Sequence, residues 1–390
     1  MNKLLLTLFC CSSLLVAKTQ NKQKVKKFTT VTEVHTTSVK NQQSTGTCWC
    51  FATVSFIETE LLRMGAPKLD LSEMYIVREA YSQKAKRYFR VHGKGNYSEG
   101  GQAHDVMNVI RTNGFVPESV YSGNLYQGDY HIHREMVKST KAMIDEIVKN
   151  PNKKITPVWF ASINGVLDTY MGKLPENFEY KGKTVSPQKF ATDLGFNTED
   201  YIELTSYSHH PFYKKINLEI PDNWSNDLYY NLPIEELMEL VNYALENGYS
   251  ICWDGDVSET GFSHKNGYAV LPTMKETEMS NSEIAKWEDE VENKKQKVQK
   301  NIKEQEVTQE LRQITFDNFE TTDDHLMHII GIVKDPQGIK YYKTKNSWAA
   351  DSNKFGGFLN MSEAYLRLKT VAIMVHKAAL PKHLKIKLGL

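Results

Sequence analysis

Residues 41–49 read Asn41-Gln42-Gln43-Ser44-Thr45-Gly46-Thr47-Cys48-Trp49, and an amphipathic run follows that stops at Gly65. Within it Cys50, Val54, Ile57 and Leu61 recur at helical spacing, and Phe51 and Leu62 widen the same apolar stripe. The spacing predicts a helix that opens at Cys48. Thr45-Gly46-Thr47 supplies its approach and N-cap, Glu58 and Glu60 are its polar positions, and Gly65 ends it. A thiol at a helix start meets unpaired backbone N–H groups and the positive end of the dipole, which favour thiolate over thiol. Cys50 points into the stripe and belongs to the core, whereas Cys48 sits at the tip, where a cysteine becomes a nucleophile.

A cysteine nucleophile needs a base, and the base needs a group that orients it. Thr321-Thr-Asp-Asp-His325-Leu-Met-His328-Ile-Ile-Gly-Ile-Val333 and Ile339-Lys-Tyr-Tyr-Lys-Thr-Lys-Asn346-Ser-Trp348 are β-branched and aromatic runs. Asp335-Pro-Gln-Gly338 between them is a turn by composition, so the unit reads as a hairpin. With the turn centred between Pro336 and Gln337, His325 faces Trp348 and Asn346 faces Met327. That register brings His325 and Asn346 together, and an amide oxygen there fixes the imidazole tautomer. His328 lies three residues after His325, on the other side of a strand, and reads as a core or surface histidine. His209-His210 and His131/His133 show no metal-ligand spacing, so neither a metal nor another cofactor is expected.

The chain has 390 residues, 40% hydrophobic and 24% charged, with a net charge of +1, so nothing in the composition points to a nucleic-acid partner. Residues 1–17 read as a secretory signal peptide: Lys3, an apolar stretch too short for a comfortable membrane span, and small Ala17 at the cleavage position. The expected protein is exported, without a stable membrane anchor. A lipid anchor at Cys10 or Cys11 is the less favoured reading, because large residues precede them. Removal of the leader leaves Cys48, Cys50 and Cys252, too few for a disulfide scaffold. Cys48 and Cys50 project about 200° apart on a helix and cannot bridge. Cys252, in Tyr249-Ser-Ile-Cys-Trp253, reads as a small hydrophobe on a buried strand.

Gln42 ahead of Cys48-Trp49, then Asp324-His325, then Asn346-Ser347-Trp348 resembles the papain-like cysteine peptidases. Three details resemble the bleomycin hydrolase and aminopeptidase C branch more closely. Thr45 stands where the papain motif has its first cysteine. Glu99-Gly-Gly-Gln102 through Asn113-Gly-Phe-Val-Pro-Glu118 is similar to the branch's Asp-Gly-Gly-Gln segment. The span from Cys48 to His325 is enlarged. The resemblance covers about residues 41–381 and implies an α+β, two-lobed fold with a large insertion between the catalytic segments. By resemblance Cys48 is the nucleophile, His325 the base, and Asn346 its orienting partner. Gln42 and the Cys48 N–H form the oxyanion hole. Gly100 and Gly101 bind substrate backbone, and Trp348 shields the His–Asn contact. Peptides are the implied substrates and a ring-like homo-hexamer the implied assembly.

Domain boundaries follow as 18–130 for the nucleophile lobe, 131–240 for the insertion and lobe connection, and 241–390 for the His/Asn lobe. Helices are predicted over 102–114, with Ala103, Val106, Met107 and Ile110 on one face, and over 233–248. A charged helical excursion is predicted over about 280–310, opened by the capping box Ser280-Asn-Ser-Glu283. In the resembling branch a C-terminal arm enters the cleft and holds the substrate amine; here the last residues, 379–390, are basic and short. The favoured function is thiol aminopeptidase. An endopeptidase or dipeptidase with an open cleft, an inactive peptide-binding relative and a metal-dependent hydrolase are the alternatives.

Overall fold

The helix expected at Cys48 forms as α1 (Cys48–Arg63), and it lies at the centre of the molecule rather than on its surface. The computed structural model describes residues 28–126, 130–150, 154–273 and 304–390. The leader over 1–17 and most of the charged excursion over 280–310 lie outside these residues. The remaining helices are α2 (Glu73–Arg90), α3 (Ala103–Asn113), α4 (Arg134–Val148), α5 (Trp159–Met171), α6 (Pro187–Asp193), α7 (Ile234–Glu246), α8 (Gln309–Asp317), α9 (Glu363–Lys369) and α10 (Lys382–Leu388). Residues 304–308 are not helical, so the predicted excursion does not run unbroken to 310; α8 starts afresh at the Thr308 cap, whose hydroxyl accepts from Leu311 N.

The strands are β1 (Thr29–Glu33), β2 (Phe178–Tyr180), β3 (Lys183–Val185), β4 (Tyr201–Thr205), β5 (Lys215–Asn217), β6 (Leu228–Asn231), β7 (Ile251–Gly255), β8 (Phe262–Ser263), β9 (Tyr268–Ala269), β10 (His325–Lys334), β11 (Lys340–Lys345), β12 (Phe358–Ser362) and β13 (Thr370–His376). All but the β2–β3 hairpin join one sheet, ordered β5-β6-β4-β13-β7-β10-β11-β12-β9-β8, with β1 also on β10. The two faces of this sheet bury different cores. On β7, Ile251 and Trp253 pack with α7 residues such as Leu237 and Val241, whereas Cys252 joins the core of α1. Leu326 of β10 and Met374 of β13 share the α1 side. Leu384 and Leu388 of α10 belong to the α7 side.

Helices α2 to α6 pack with α1 in the first lobe. The stretch 131–240 is thereby divided: α4, α5 and α6 complete the α1 core, while β4, β5 and β6 extend the sheet. Because α1 has the sheet on one side and helices on the other, every residue from Cys48 to Leu61 is buried. Glu58 and Glu60, the polar positions of the predicted stripe, are therefore interior too, and each has a cation. Lys40 Nζ reaches Glu58 at 3.0 Å and Glu73 at 2.8 Å, and Arg63 reaches Glu60 at 2.7 Å. The Lys40 ammonium is desolvated, yet Glu73, Glu58 and Asp70 together hold its pKa above the ordinary lysine value.

The β10–β11 hairpin forms, with one difference. The loop closes at Asp335, whose N–H donates to Ile339 O, and the pairs beside it, Lys334 with Lys340 and Val333 with Tyr341, are centred on Gln337. A bulge between Ile329 and Gly331 then shifts the ladder by one residue. His328 consequently faces Lys345 and Ile329 faces Thr344, the register expected at the site. The bulge cancels the displaced turn.

Candidate active site

Cys48 is the first residue of α1, and the Thr47 side chain makes no cap hydrogen bond. The N–H of Cys50 and that of Phe51 donate to Thr47 O. Among the described residues nothing accepts the Cys48 N–H, which is left to a ligand. The predicted Thr cap is absent because Thr45 and Thr47 hydroxyls bond to each other, at 2.5 Å, and Thr45 also donates to Gln42 O. The helix end thus keeps unpaired donors at the thiol.

Strand β10 brings His325 to the same place. The Leu326 N–H reaches the Cys48 sulfur, which sets the thiol beside the first turn of β10. His325 Nε2 lies 2.7 Å from Asn346 Oδ1. That oxygen also accepts from Ser347 N at 2.8 Å, so it cannot be the amide nitrogen. The imidazole therefore carries its proton on Nε2 and has Nδ1 free as a base. Trp348 lies over the His325 ring, centroids 4.9 Å apart and planes 33° apart, and screens the Nε2–Oδ1 bond from water.

Burial pushes the Cys48 thiol up to about 12, opposed by the Leu326 N–H and reinforced by Asp323, Asp222 and Asp254. Burial lowers His325 to about 4, against the pull of Asn346. Each charge alone is disfavoured. Both groups therefore rest neutral, and proton transfer from sulfur to Nδ1 would create both charges together.

Gln42 is held from both lobes. Its N–H donates to Ser347 O at 2.8 Å, and Ser347 Oγ donates to its Oε1 at 2.7 Å. Its Nε2 donates to Thr45 O at 2.8 Å, which leaves one amide hydrogen free. Asn41 bridges to Trp348, and Ala349 N donates to Lys40 O, so residues 40–42 form a short ladder with 347–349. One loop, Asn346-Ser347-Trp348, thereby positions the His325 imidazole and the Gln42 amide together. Gly100 and Gly101 sit on the other side of the α1 tip, tied there by Trp49 Nε1 to Glu99 O at 2.9 Å and Glu99 Oε2 to Gly46 N at 2.7 Å. A Cβ on Gly101 would come within 3.1 Å of the Trp49 ring, and one on Gly100 would collide with the Asp222 carboxylate. All seven residues singled out from the sequence converge on the Cys48 end of α1.

Other residues were silent in the sequence. His264, in the β8–β9 turn, accepts from Asn346 Nδ2 at 3.2 Å through Nδ1, and its Nε2 lies 2.7 Å from Ser352 Oγ. Ser352 donates onward to Ala349 O. This chain of donors fixes which way the Asn346 amide points. Nothing in a turn histidine far from Asn346 in sequence signals it. Asp324, adjacent to His325, is exposed and turned away: its carboxylate accepts from Thr322 Oγ1 and Ser258 N. His328 is a core histidine, with Nδ1 2.9 Å from Ser55 Oγ and burial holding it neutral. Cys50 and Cys252 are buried free thiols, as read. His209 and His210 do meet a third ligating group, Glu219, which sequence spacing could not show; their ligand atoms lie within 4.8 Å of one another. The carboxylate accepts from both imidazoles in a partly exposed cluster.

A thiol on a helix tip, an imidazole fixed by an amide oxygen and two lobes meeting between them define a papain-like cysteine peptidase fold. The chain belongs to the Peptidase C1-like family, whose profile matches residues 7–389. Aminopeptidase G and aminopeptidase W of Lactobacillus delbrueckii subsp. lactis are each 21% identical to it, over 90% of this chain and 83% of their own length. The crystal structure of pepw from Lactobacillus rhamnosis HN001 superposes with a TM-score of 0.71 at 19% identity, covering 93% of this chain and 84% of that one. At that identity the superposition shows the shared fold.

Proposed function

We propose that this cysteine peptidase removes residues from the free N-terminus of peptides, with Cys48, His325, Asn346 and Gln42 as its catalytic set. The observation that carries the chemistry is His325 Nε2 bound to Asn346 Oδ1 at 2.7 Å beside the helix-tip thiol. Nδ1 of His325 takes the Cys48 proton, and the thiolate adds to the scissile carbonyl carbon. The oxyanion meets the Cys48 N–H and the free Gln42 amide hydrogen. The imidazolium then protonates the leaving amine, and a thioester remains. Water, deprotonated by the same imidazole, releases the acid and restores the thiol. The aminopeptidase direction is supported by the names of the relatives.

An endopeptidase with an open cleft is the second reading, favoured by one observation. Residues 382–390 pack on the α7 face of the sheet, with Lys387 on Glu236 and Leu388 in that core, on the opposite side from Cys48. Hydrolysis of free and N-acetylated peptides by wild type and Cys48→Ala separates the readings. Turnover of free peptides alone supports the first, turnover of blocked peptides the second, and activity retained in Cys48→Ala overturns both. Export is also part of the reading, supported by Lys3, the apolar run and Ala17; the N-terminal sequence of secreted protein tests it. A hexamer rests on the resemblance alone, and a monomer by light scattering would exclude it.

A further inference from the structure

Next to the nucleophile lies negative charge that the hydrolytic chemistry does not use. Asp254 pairs directly with Leu326 across β7 and β10, and it follows Cys252 on the α1 face of the sheet. Its side chain therefore points toward the same interior as the Cys48 thiol. Asp254 is only 3% exposed, and apart from Asp323 neither carboxyl oxygen has a hydrogen-bond partner. The polar group beside it is a second carboxyl, that of Asp323, and the two can bond only by sharing one proton. Asp323 is partly open, and its other contact is Gln102 Nε2 at 2.9 Å, from the residue after Gly100-Gly101. Asp222 lies against Gly100, held by Asn96 Nδ2 at 2.7 Å and Ser98 Oγ at 3.4 Å.

Among the described residues no lysine or arginine forms an ion pair with any of the three. Lys84, whose ammonium feels the Asp222 charge, is buried and donates to Ser98 O and Gly100 O instead. Burial and the neighbouring Asp323 hold the Asp254 carboxyl protonated, so the pair keeps one buried negative charge, on the Asp323 side, and an unneutralised buried charge is expensive. Here it also opposes the reaction, since all three acids raise the thiol's pKa. A cation lodged between them would remove both costs.

We propose that Asp323 and Asp254, flanked by Asp222, form an anionic subsite that takes the free α-ammonium group of the peptide substrate. This rests on the reading of Cys48 as the nucleophile. A peptide extended along Gly100-Gly101 advances about 3.3 Å per residue, and both acids border that segment, Asp323 through Gln102 and Asp222 against Gly100. The side chain of lysine or arginine offers the same cationic chemistry from a second source, and the test separates the two.

The experiment measures binding without turnover. Three peptides, one with a free amine, its N-acetylated form, and an acetylated form carrying lysine upstream of the scissile bond, are titrated calorimetrically into Cys48→Ala protein. The expected result is that Asp323→Asn/Asp254→Asn weakens the free-amine peptide by about 30-fold or more, as for loss of a desolvated charge partner. Binding of the acetylated neutral peptide is unchanged, which also shows that the double variant folds. Equal affinities for free and acetylated peptides in the parent, or an affinity ratio untouched in the double variant, overturns the proposal. Selective loss of the lysine peptide alone overturns the α-ammonium assignment in favour of a side-chain subsite. Asp323→Asn by itself, which alters only the partly exposed member, repeats the measurement should the double variant not fold. The outcome does not depend on hydrolysis, so a failure of the nucleophile assignment shows separately in the Cys48→Ala activity assay.

Discussion

Under the proposed mechanism, replacing Gln42 by alanine removes one of the two donors that meet the oxyanion while leaving thiol, imidazole and Asn346 in place. The free hydrogen on Nε2 matters where negative charge develops, so its loss costs about 3–4 kcal/mol in the transition state, or about 10²–10³ in kcat. KM should move little, because the ground-state carbonyl gains less from the same donor. The structure adds a second cost. Ser347 Oγ loses its acceptor and Thr45 O its donor, at 2.7 and 2.8 Å, both in buried surroundings. Each orphaned group costs about 1–3 kcal/mol of stability. Ser347→Ala separates the effects, because it breaks the Oε1 bond but leaves Nε2 anchored on Thr45. The expected pattern is comparable destabilisation in the two variants, with kcat falling far more in Gln42→Ala. Alkylation of Cys48 by iodoacetamide, which forms no oxyanion, should proceed at the wild-type rate in both. A Gln42→Ala enzyme with kcat within about threefold of wild type would refute this assignment of the hole.

Other consequences are equally open to measurement. Lys40→Met leaves Glu58 and Glu73 without their shared cation, and chemical denaturation should show a loss of about 3–5 kcal/mol. His264→Ala frees the Asn346 amide to rotate; kcat should fall by about tenfold with KM nearly constant, an effect of orientation rather than binding. His133 is held near 3 by burial, reinforced by His131, so its folded pKa lies below the unfolded value. Its contribution to stability is present above about 6.5 and is lost as pH falls towards 3. Between pH 6.5 and 4.5 the wild type should therefore lose about 2–3 kcal/mol more than His133→Phe does. Equal losses in the two proteins would show that this imidazole is not held neutral.

The convergence of the proposed catalytic set was legible because it rests on local grammar. Cys48 stands at a helix boundary, and His325 and Asn346 stand at matching distances from one turn. Even so, the hairpin reached the right register through two departures that cancel, a turn centred half a residue later, on Gln337, and a bulge between Ile329 and Gly331. Helix α1 shows the limit of periodicity. Its apolar stripe was real, but a helix enclosed by a sheet and by other helices buries its polar face too, and Glu58 and Glu60 survive there only with Lys40 and Arg63 beside them. Asp254, Asp323 and Asp222 come from three separate stretches of chain, and no spacing in the sequence joins them. His264 meets Asn346 in the same way, through a turn whose position only the assembled sheet defines.

The central claim is that Cys48, among the three free cysteines of the described residues, is the nucleophile of a peptidase site. Intact-mass and peptide mapping after treatment with a peptidyl epoxide tests it most directly. The account predicts one adduct per chain, on Cys48, formed in step with loss of activity and absent from Cys48→Ala. An adduct on Cys50 or Cys252, or peptide hydrolysis that persists in Cys48→Ala, would contradict it.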